Sequence, residues 1–290
     1  MGDIRKQTIG FLGLGAMGLP MATRLCKAGY SLNVVRHRRP QPVQQLETLG
    51  AKVVRDVAEM IEQSDVVMTI LPSDREMESS LLQEDVLFRV RPGLVLVEMT
   101  SGSKGVMKRV DEEFRSRGAS VLDAPVSGGT SGAENGTLTI MAGGSPAVIE
   151  AVRDILGELA ANVIPVGDVG DGKAVKAINQ MLAGIHMLAT VEAIQLARKL
   201  NLDMSRVLEV VSQSSGASWI FTHKSKDILT GNDSLGFKMN LMIKDLGIAL
   251  SDGASVSMPL ASLARSLYLL ASHKFGEVDF SAVSKLFDAE

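Results

Sequence analysis

Three glycines, at positions 13, 15 and 18, set the first chemical constraint. Gly13-Leu14-Gly15-Ala16-Met17-Gly18 has the spacing G-x-G-x-x-G. It follows the apolar run Thr8–Leu12 and opens the amphipathic stretch Ala16–Ala28. In that strand–turn–helix setting the first glycine permits a tight turn and the second lets the backbone approach a pyrophosphate. The third allows close helix–strand packing. Unpaired N–H groups and the dipole at the helix start favour phosphate charge. Without that setting the spacing is a weak signal and fits a structural turn in any α/β protein. With it, Gly13, Leu14, Gly15, Ala16, Met17 and Gly18 are candidate dinucleotide contacts.

The residue that ends the second strand discriminates between dinucleotides. An NAD reader places Asp or Glu there for the ribose hydroxyls. Here the strand Leu32–Val35 runs into Arg36-His37-Arg38-Arg39. A carboxylate would repel a 2′-phosphate, whereas arginine pairs with one bidentately. The expectation is NADP ahead of NAD, with Arg36 first, Arg38 next and His37 between them. A solvated basic turn is the bland alternative.

Two further segments carry groups that could bind and turn over a substrate. Asp123-Ala124-Pro125-Val126-Ser127-Gly128-Gly129 ends a strand and turns sharply. Successive N–H groups in such a turn can form an anion-binding nest, to which the Ser127 hydroxyl adds a donor. Gly170 to Asn179 then starts a long helical stretch, with Lys176 and Asn179 spaced i, i+3 on one face and Gln180 beside them. A lone lysine there is ordinarily a solvated surface residue. Other motifs are decoys. Gly167 to Lys173 nearly spells a P-loop, but Ala174 stands where a Mg²⁺-binding hydroxyl belongs. Ser101-Gly102-Ser103-Lys104 fits S-x-x-K without a K-T-G partner. The four histidines, 37, 186, 223 and 273, have no metal-ligand spacing, and His186 reads as a packed histidine. No metal site is expected.

The elements that must position these groups alternate through the first half. Candidate strands are Thr8–Leu12, Leu32–Val35, Val66–Ile70, Leu94–Val97, Ser120–Leu122, Thr137–Met141 and Asn162–Val166. They are short and rich in Val, Ile and Leu, as strands covered on both faces are. Helical patterns lie between them at Ala16–Ala28, Pro42–Leu49, Val57–Gln63 and Lys104–Arg117. Ser145-Pro146 signals another helix, with serine as N-cap and proline in the first turn. Alternation of this kind predicts a parallel sheet with helices on both sides. After Gly172 the rhythm changes. A helix runs to about Leu200, with Ile178, Leu182, Ile185 and Leu188 at helical spacing and apolar neighbours on most sides, the mark of a buried helix. Met204–Ser212, Trp219–Leu229, Leu241–Asp252 and Pro259–Ser272 continue as helices. The fold expected is α/β: a Rossmann-type doubly wound domain over 1–168, a linking helix over 169–200, and an all-α remainder to 290.

Composition narrows the field. A chain of 290 residues has room for about two domains. Thirty Lys and Arg against 33 Asp and Glu leave a net charge of −3, so no broad basic field for nucleic acid is expected. The single cysteine, Cys26, forms no internal disulfide, which fits a reducing, cytoplasmic setting. The stretch Ile9–Met21 after Arg5 and Lys6 has the look of a signal peptide, but its glycines argue otherwise. Lys6 stands where myristoylation needs Ser or Thr. Ala177–Ala197 carries Asn179, Gln180, His186 and Glu192 and does not read as a membrane span. Its apolar surface suggests instead a homodimer or homotetramer.

Taken together, the motifs resemble the β-hydroxyacid dehydrogenase family, which includes 3-hydroxyisobutyrate dehydrogenase, tartronate semialdehyde reductase and sulfolactaldehyde reductase. The matching segments are Gly10 to Gly18, Asp123 to Gly129, Gly136-Thr137-Leu138, Gly170 to Asn179 and Lys244-Asp245-Leu246, in that order. The resemblance spans the whole chain and implies a helical C-terminal domain like that of 6-phosphogluconate dehydrogenase. It implies Lys176 as the general acid/base, and Ser127, Gly128 and Gly129 as holders of a small substrate carboxylate. It implies that Asn179 positions the substrate and that Lys244 lines the site near substrate and cofactor. Leu71-Pro72 and Thr100-Ser101 match cofactor-contacting turns. Ser214-Ser215-Gly216 with Trp219 resembles a substrate-pocket wall, against core packing as the plain reading of Trp219. Two positions depart from the family. Arg36-His37-Arg38 is neither the acid of NAD members nor the Asn-Arg-Thr typical of NADP members. The arginine that follows the serine-glycine turn in sulfolactaldehyde reductases is absent, which argues against a sulfonate.

The implied reaction moves hydride between NADP(H) and a β-hydroxy acid or its semialdehyde, with Lys176 taking or giving the hydroxyl proton. A lysine titrates near 10.4, and burial beside a cationic nicotinamide would bring it towards working pH. Candidate substrates are 3-hydroxyisobutyrate, glycerate, 4-hydroxybutyrate, serine and related acids. Two other readings stay open at this level: an imine or other carbonyl reductase on the same scaffold, and a non-catalytic NADP-binding interaction module. The presence of Lys176 weighs against both.

Overall fold

The computed structural model describes residues 7–36, 39–233 and 236–287. The chain divides into two compact units, Met1–Lys176 and Ala177–Glu290. Nine strands build the sheet of the first: β1 (Ile9–Leu12), β2 (Leu32–Val35), β3 (Lys52–Val54), β4 (Val66–Thr69), β5 (Val95–Glu98), β6 (Ser120–Asp123), β7 (Val126–Ser127), β8 (Leu138–Gly143) and β9 (Ala160–Gly167). Their order is β3-β2-β1-β4-β5-β6-β8-β7, with β9 on β8. Pairing is parallel from β3 through β6. This half is the doubly wound sheet that the alternating pattern predicts.

The far half departs from an all-parallel sheet. β8 runs antiparallel to both β6 and β7, and β9 returns parallel to β8. A parallel return needs a crossover of about a dozen residues or more. Between β7 and β8 lies only the short α7 (Gly129–Asn135) with its flanking turns, so the chain doubles back.

Helices cover both faces. α1 (Gly18–Lys27), α2 (Gln41–Glu47), α8 (Pro146–Ala151) and α9 (Arg153–Gly157) lie over one. α3 (Val57–Glu62), α4 (Asp74–Leu81), α5 (Glu84–Arg89) and α6 (Lys104–Arg115) lie over the other. Strand residues divide between the two cores with the period of two that a pleat imposes. Val66 and Met68 enter one core and Val67 the other; Val95 and Val97 enter one, Leu96 the other. Ser145 accepts from the Val148 N–H and Pro146 stands in the first turn of α8, the cap that the sequence signals. α4 and α5 lack a long apolar period and were not legible from it. The start of α4 is nonetheless marked by Ser73 and Glu76, a serine cap with an acid three residues on, and the two side chains bond.

The second unit is helical. α10 (Asp171–Lys199) enters it, followed by α11 (Met204–Ser212), α12 (Trp219–Thr230), α13 (Met239–Asp252), α14 (Pro259–Phe275) and a 3₁₀ turn, Phe280–Leu286. Its core gathers Met187, Val191, Ile194, Met242, Leu246 and Tyr268. The Tyr268 hydroxyl, fully buried, donates to Gly184 O at 3.0 Å. The expectation that α10 is buried on most sides holds only in part. Met187, Val191 and Ile194 are buried, whereas Ile178 and Leu182 are 56% and 45% exposed and Leu196 is exposed too. No helix among the described residues is long and apolar enough to cross a membrane.

Candidate active site

Register aligns the C-terminal ends of four parallel strands. Leu12 sits opposite Thr69, Thr69 opposite Glu98, and Glu98 opposite Asp123. The turns that follow these strands leave from one edge of the sheet. The strand order also reverses direction at β1, whose neighbours are β2 and β4. Open α/β sheets bind ligands outside the carboxyl ends of their strands at such a switch point.

The first of these turns is Gly13 to Met17. Gly13 has φ +102°, and a Cβ there would collide with the carbonyl oxygen of Ile70. A Cβ on Gly18 would collide with Gly13 O. Gly15 faces nothing within 4 Å. Turn, open approach and close packing thus fall on the three glycines in the order that dinucleotide binding demands. α1 begins at Gly18, not at Ala16, because the Leu19 N–H first closes a turn onto Gly15 O. Gly15 and Ala16 are exposed, while Leu14 and Met17 pack on the core. Next along the edge, the Leu71 N–H donates to the buried Thr100 Oγ1 at 2.8 Å, tying two turns together; Pro72 is exposed and Ser101 half-buried. Arg36 follows β2 with its side chain 65% exposed and 3.4 Å from Glu47. His37 and Arg38 lie outside the described residues.

The fourth turn carries Ser127, which pairs with Thr139. Gly128 and Gly129 follow at φ +129° and +64°, both exposed. Asp123, at the end of β6, is fully buried. Its Oδ2 accepts from the Gly170 and Lys173 N–H groups at 3.0 and 2.9 Å. These donors belong to the start of α10, so Asp123 acts as its cap from a distant strand. Gly172 lies so close that a Cβ would stand 2.6 Å from Met141 O and 2.8 Å from Asp123 Oδ2. The near-P-loop is therefore a packing device. Its lysine, Lys173, is fully buried against Glu98 and Asp123 and is not presented to a phosphate. One turn later comes Lys176, 7% exposed.

Glu98 explains a misplaced strand end. The apolar run suggests a strand ending at Val97, yet β5 includes Glu98, fully buried. Its Oε1 accepts from Thr69 Oγ1 and the Thr100 N–H, each at 3.1 Å. Lys173 takes the other oxygen. Glu98 was not singled out from sequence and Lys173 was read only as the lysine of the near-P-loop, since their partnership spans the sheet edge.

Within the second unit the remaining candidates form a polar chain. Asn179 Nδ2 donates to Gln180 Oε1 at 3.1 Å, and Gln180 Nε2 donates to Asp245 Oδ2 at 2.8 Å. Asp245 Oδ1 lies 3.2 Å from Lys244 Nζ. Asp245 and Gln180 are buried, so the chain fixes Asn179 and Lys244 from beneath. A Lys-Asp pair inside the apolar face of α13 was the available signal for Asp245. Trp219 is 64% exposed and stacks on His223 at 4.4 Å, which excludes core packing. No cluster of His, Cys, Asp or Glu fit to hold a metal occurs among the described residues.

Comparison with known proteins divides the chain just before α10, a few residues ahead of the boundary between the two units. Residues 8–167 match the family described as the NAD binding domain of 6-phosphogluconate dehydrogenase. Residues 170–287 match the family described as NAD-binding of NADP-dependent 3-hydroxyisobutyrate dehydrogenase. An NAD-dependent L-serine dehydrogenase of Pseudomonas aeruginosa is 37% identical over 97% of each chain. The chain belongs to the β-hydroxyacid dehydrogenase family. A 2-(hydroxymethyl)glutarate dehydrogenase of Eubacterium barkeri is 36% identical over 97% of this chain and 94% of that one. Among solved structures, 3-hydroxyisobutyrate dehydrogenase of Mycobacterium tuberculosis with L-serine superposes with a TM-score of 0.91 at 31% identity, covering 98% of this chain and all of that one.

The glycine geometry makes a paired prediction. Gly15→Val is expected to unfold within about 2 °C of the parent, because the added side chain meets open space. It should weaken dinucleotide binding at least tenfold, on the order of one lost good contact. Gly18→Val is expected to lower Tm by roughly 2–12 °C, as overpacking costs about 1–3 kcal/mol. Thermal melts and dinucleotide fluorescence titrations would check both; tight binding by Gly15→Val would remove the turn from the binding surface.

Proposed function

We propose that this protein is an NADP(H)-preferring dehydrogenase of a small β-hydroxy carboxylate, acting reversibly on the corresponding semialdehyde. The observation that carries the reading is Lys176. It is a buried amine, one turn into a helix whose start is capped by Asp123 at the edge where the glycine turn also emerges. The dinucleotide fits the residues present: an open Gly15 between two packed glycines gives backbone approach without displacing structure. Gly13 to Gly18 would hold its phosphates, Leu71-Pro72 and Thr100-Ser101 would border its nicotinamide, and Arg36 its 2′-phosphate. When bound, it would supply the hydride acceptor for oxidation and the hydride donor for reduction.

The chain's own residues supply the rest. Lys176 Nζ removes the hydroxyl proton as the carbonyl forms, and in reduction its ammonium returns that proton to oxygen. General acid–base catalysis of this kind needs an amine held within reach of the reacting oxygen and shielded from bulk water, and Lys176 is 7% exposed. Ser127, Gly128 and Gly129 hold the carboxylate through hydroxyl and backbone donors. Asn179 and Lys244, steadied by Gln180 and Asp245, orient the substrate. Trp219 shapes the pocket wall. The L-serine dehydrogenase relative and the L-serine bound to the Mycobacterium tuberculosis structure support a β-hydroxy acid of that size.

Exposed Ile178 and Leu182 on α10, with Leu260, Leu263 and Leu270 on α14, support a homo-oligomer. Apolar side chains in such number are usually covered by another surface.

Lys176→Ala is expected to lose on the order of 10²–10⁴ in kcat with dinucleotide Kd unchanged; near-normal turnover would overturn the acid/base assignment. Arg36→Asp should shift the NADP-to-NAD ratio of kcat/KM towards NAD by roughly 10- to 100-fold, the worth of a charged hydrogen bond. Since the exposed Arg36–Glu47 pair contributes little, stability should hardly change. An unaltered ratio would remove Arg36 from cofactor selection. Light scattering should give at least twice the 30.9 kDa chain mass, and a monomer would refute the oligomer.

A further inference from the structure

The proposed chemistry leaves one buried lysine unused. Lys173 Nζ donates to Glu98 Oε2 at 2.5 Å and to Glu98 O at 3.1 Å, and lies 2.9 Å from Asp123 Oδ1. All three side chains are fully buried. One cation thus faces two carboxylates away from water. Desolvation pulls the Lys173 ammonium down, but the two carboxylates outweigh it and its pKa ends above the usual lysine value. Burial pushes the Asp123 carboxyl above its ordinary range, with Lys173 opposing.

Stability alone is a poor reason for such a cluster. Replacing buried ion pairs with apolar side chains is often neutral or stabilising. What the cluster supplies is connection. Glu98 holds Thr69 and the Thr100 N–H, and Thr100 Oγ1 holds the Leu71 N–H. Asp123 holds the Gly170 and Lys173 N–H groups. Lys173 joins both carboxylates at one atom, one helical turn before Lys176 in a rigid helix.

We propose that Lys173 is a positioning residue for hydride transfer. It clamps the first turn of α10 to the ends of β5 and β6, and so sets Lys176 against the turns at Leu71 and Thr100. The inference rests on the reading of Lys176 as acid/base. Lys173 itself touches no reacting atom.

The test compares the full-length parent with Lys173→Gln, Lys173→Met, the double variant Glu98→Gln/Lys173→Met, and Lys176→Ala. Each is assayed with NADPH and the 4-deuterated cofactor on the best semialdehyde substrate, beside thermal melts and fluorescence titration of NADPH. A misplaced catalytic group costs on the order of 10- to 100-fold. That drop in kcat is expected for Lys173→Gln and Lys173→Met, with NADPH Kd within about threefold and a larger deuterium isotope effect. The double variant leaves no unpaired Glu98 carboxylate, so it should regain Tm while kcat stays low. If kcat recovers along with Tm, or Lys173→Gln turns over like the parent, the clamp is structural only and the proposal fails. Failure of all three variants to fold would likewise assign the cluster to stability. Lys176→Ala separates the two readings: if it stays active, the acid/base assignment falls, whatever Lys173 does. If it is inactive while Lys173→Gln is normal, only the clamp falls.

Discussion

A carboxylate buried at the end of a strand must be met by donors, and Asp123 is met by the first turn of α10. The rest of the site hangs from that contact. Two backbone N–H groups and one ammonium converge on a group that has no access to water. An unsatisfied buried carboxylate would cost several kcal/mol, so the helix start has little freedom to sit elsewhere. Gly172 is part of the same constraint, because any side chain at that point would push helix and strand apart.

Strand register extends the constraint along the sheet. Parallel pairing puts Leu12, Thr69, Glu98 and Asp123 in one row. Each ends a strand covered on both faces, so each turn starts from a position that the two cores already hold. The polar members of the row satisfy one another: Thr69 donates to Glu98, and Lys173 bridges Glu98 and Asp123. The polar groups along this edge are thereby tied to one another, and the glycine turn beside it stays open at Gly15. The second unit follows the same logic on a smaller scale, with a buried aspartate, Asp245, holding Gln180 on one side and Lys244 on the other.

Local features were legible from sequence wherever their cause is local. The glycine turn, the Ser145-Pro146 cap and the strands β1, β2, β4, β5 and β6 depend on residues near one another in the chain, whereas the three-residue β3 was not among the strands read. Strand ends were less legible when a polar residue completed them, as at Glu98 and Asp123, because an apolar run stops where a long-range ion cluster begins. The antiparallel turn at β8 was hidden for a related reason: a two-residue strand such as β7 has no period to read.

The sequence by itself determined the class of protein, for the fingerprint, the turn at Ser127 and the helix bearing Lys176 occur in order and need only short spacings. Which of two lysines three residues apart sits in an ionic clamp was decided by tertiary structure alone. Glu98 stands 75 residues from Lys173, and the two meet only because parallel register brings the ends of β5 and β6 together. Spacing along a helix says which side chains share a face. It does not say what a distant strand will bury against that face.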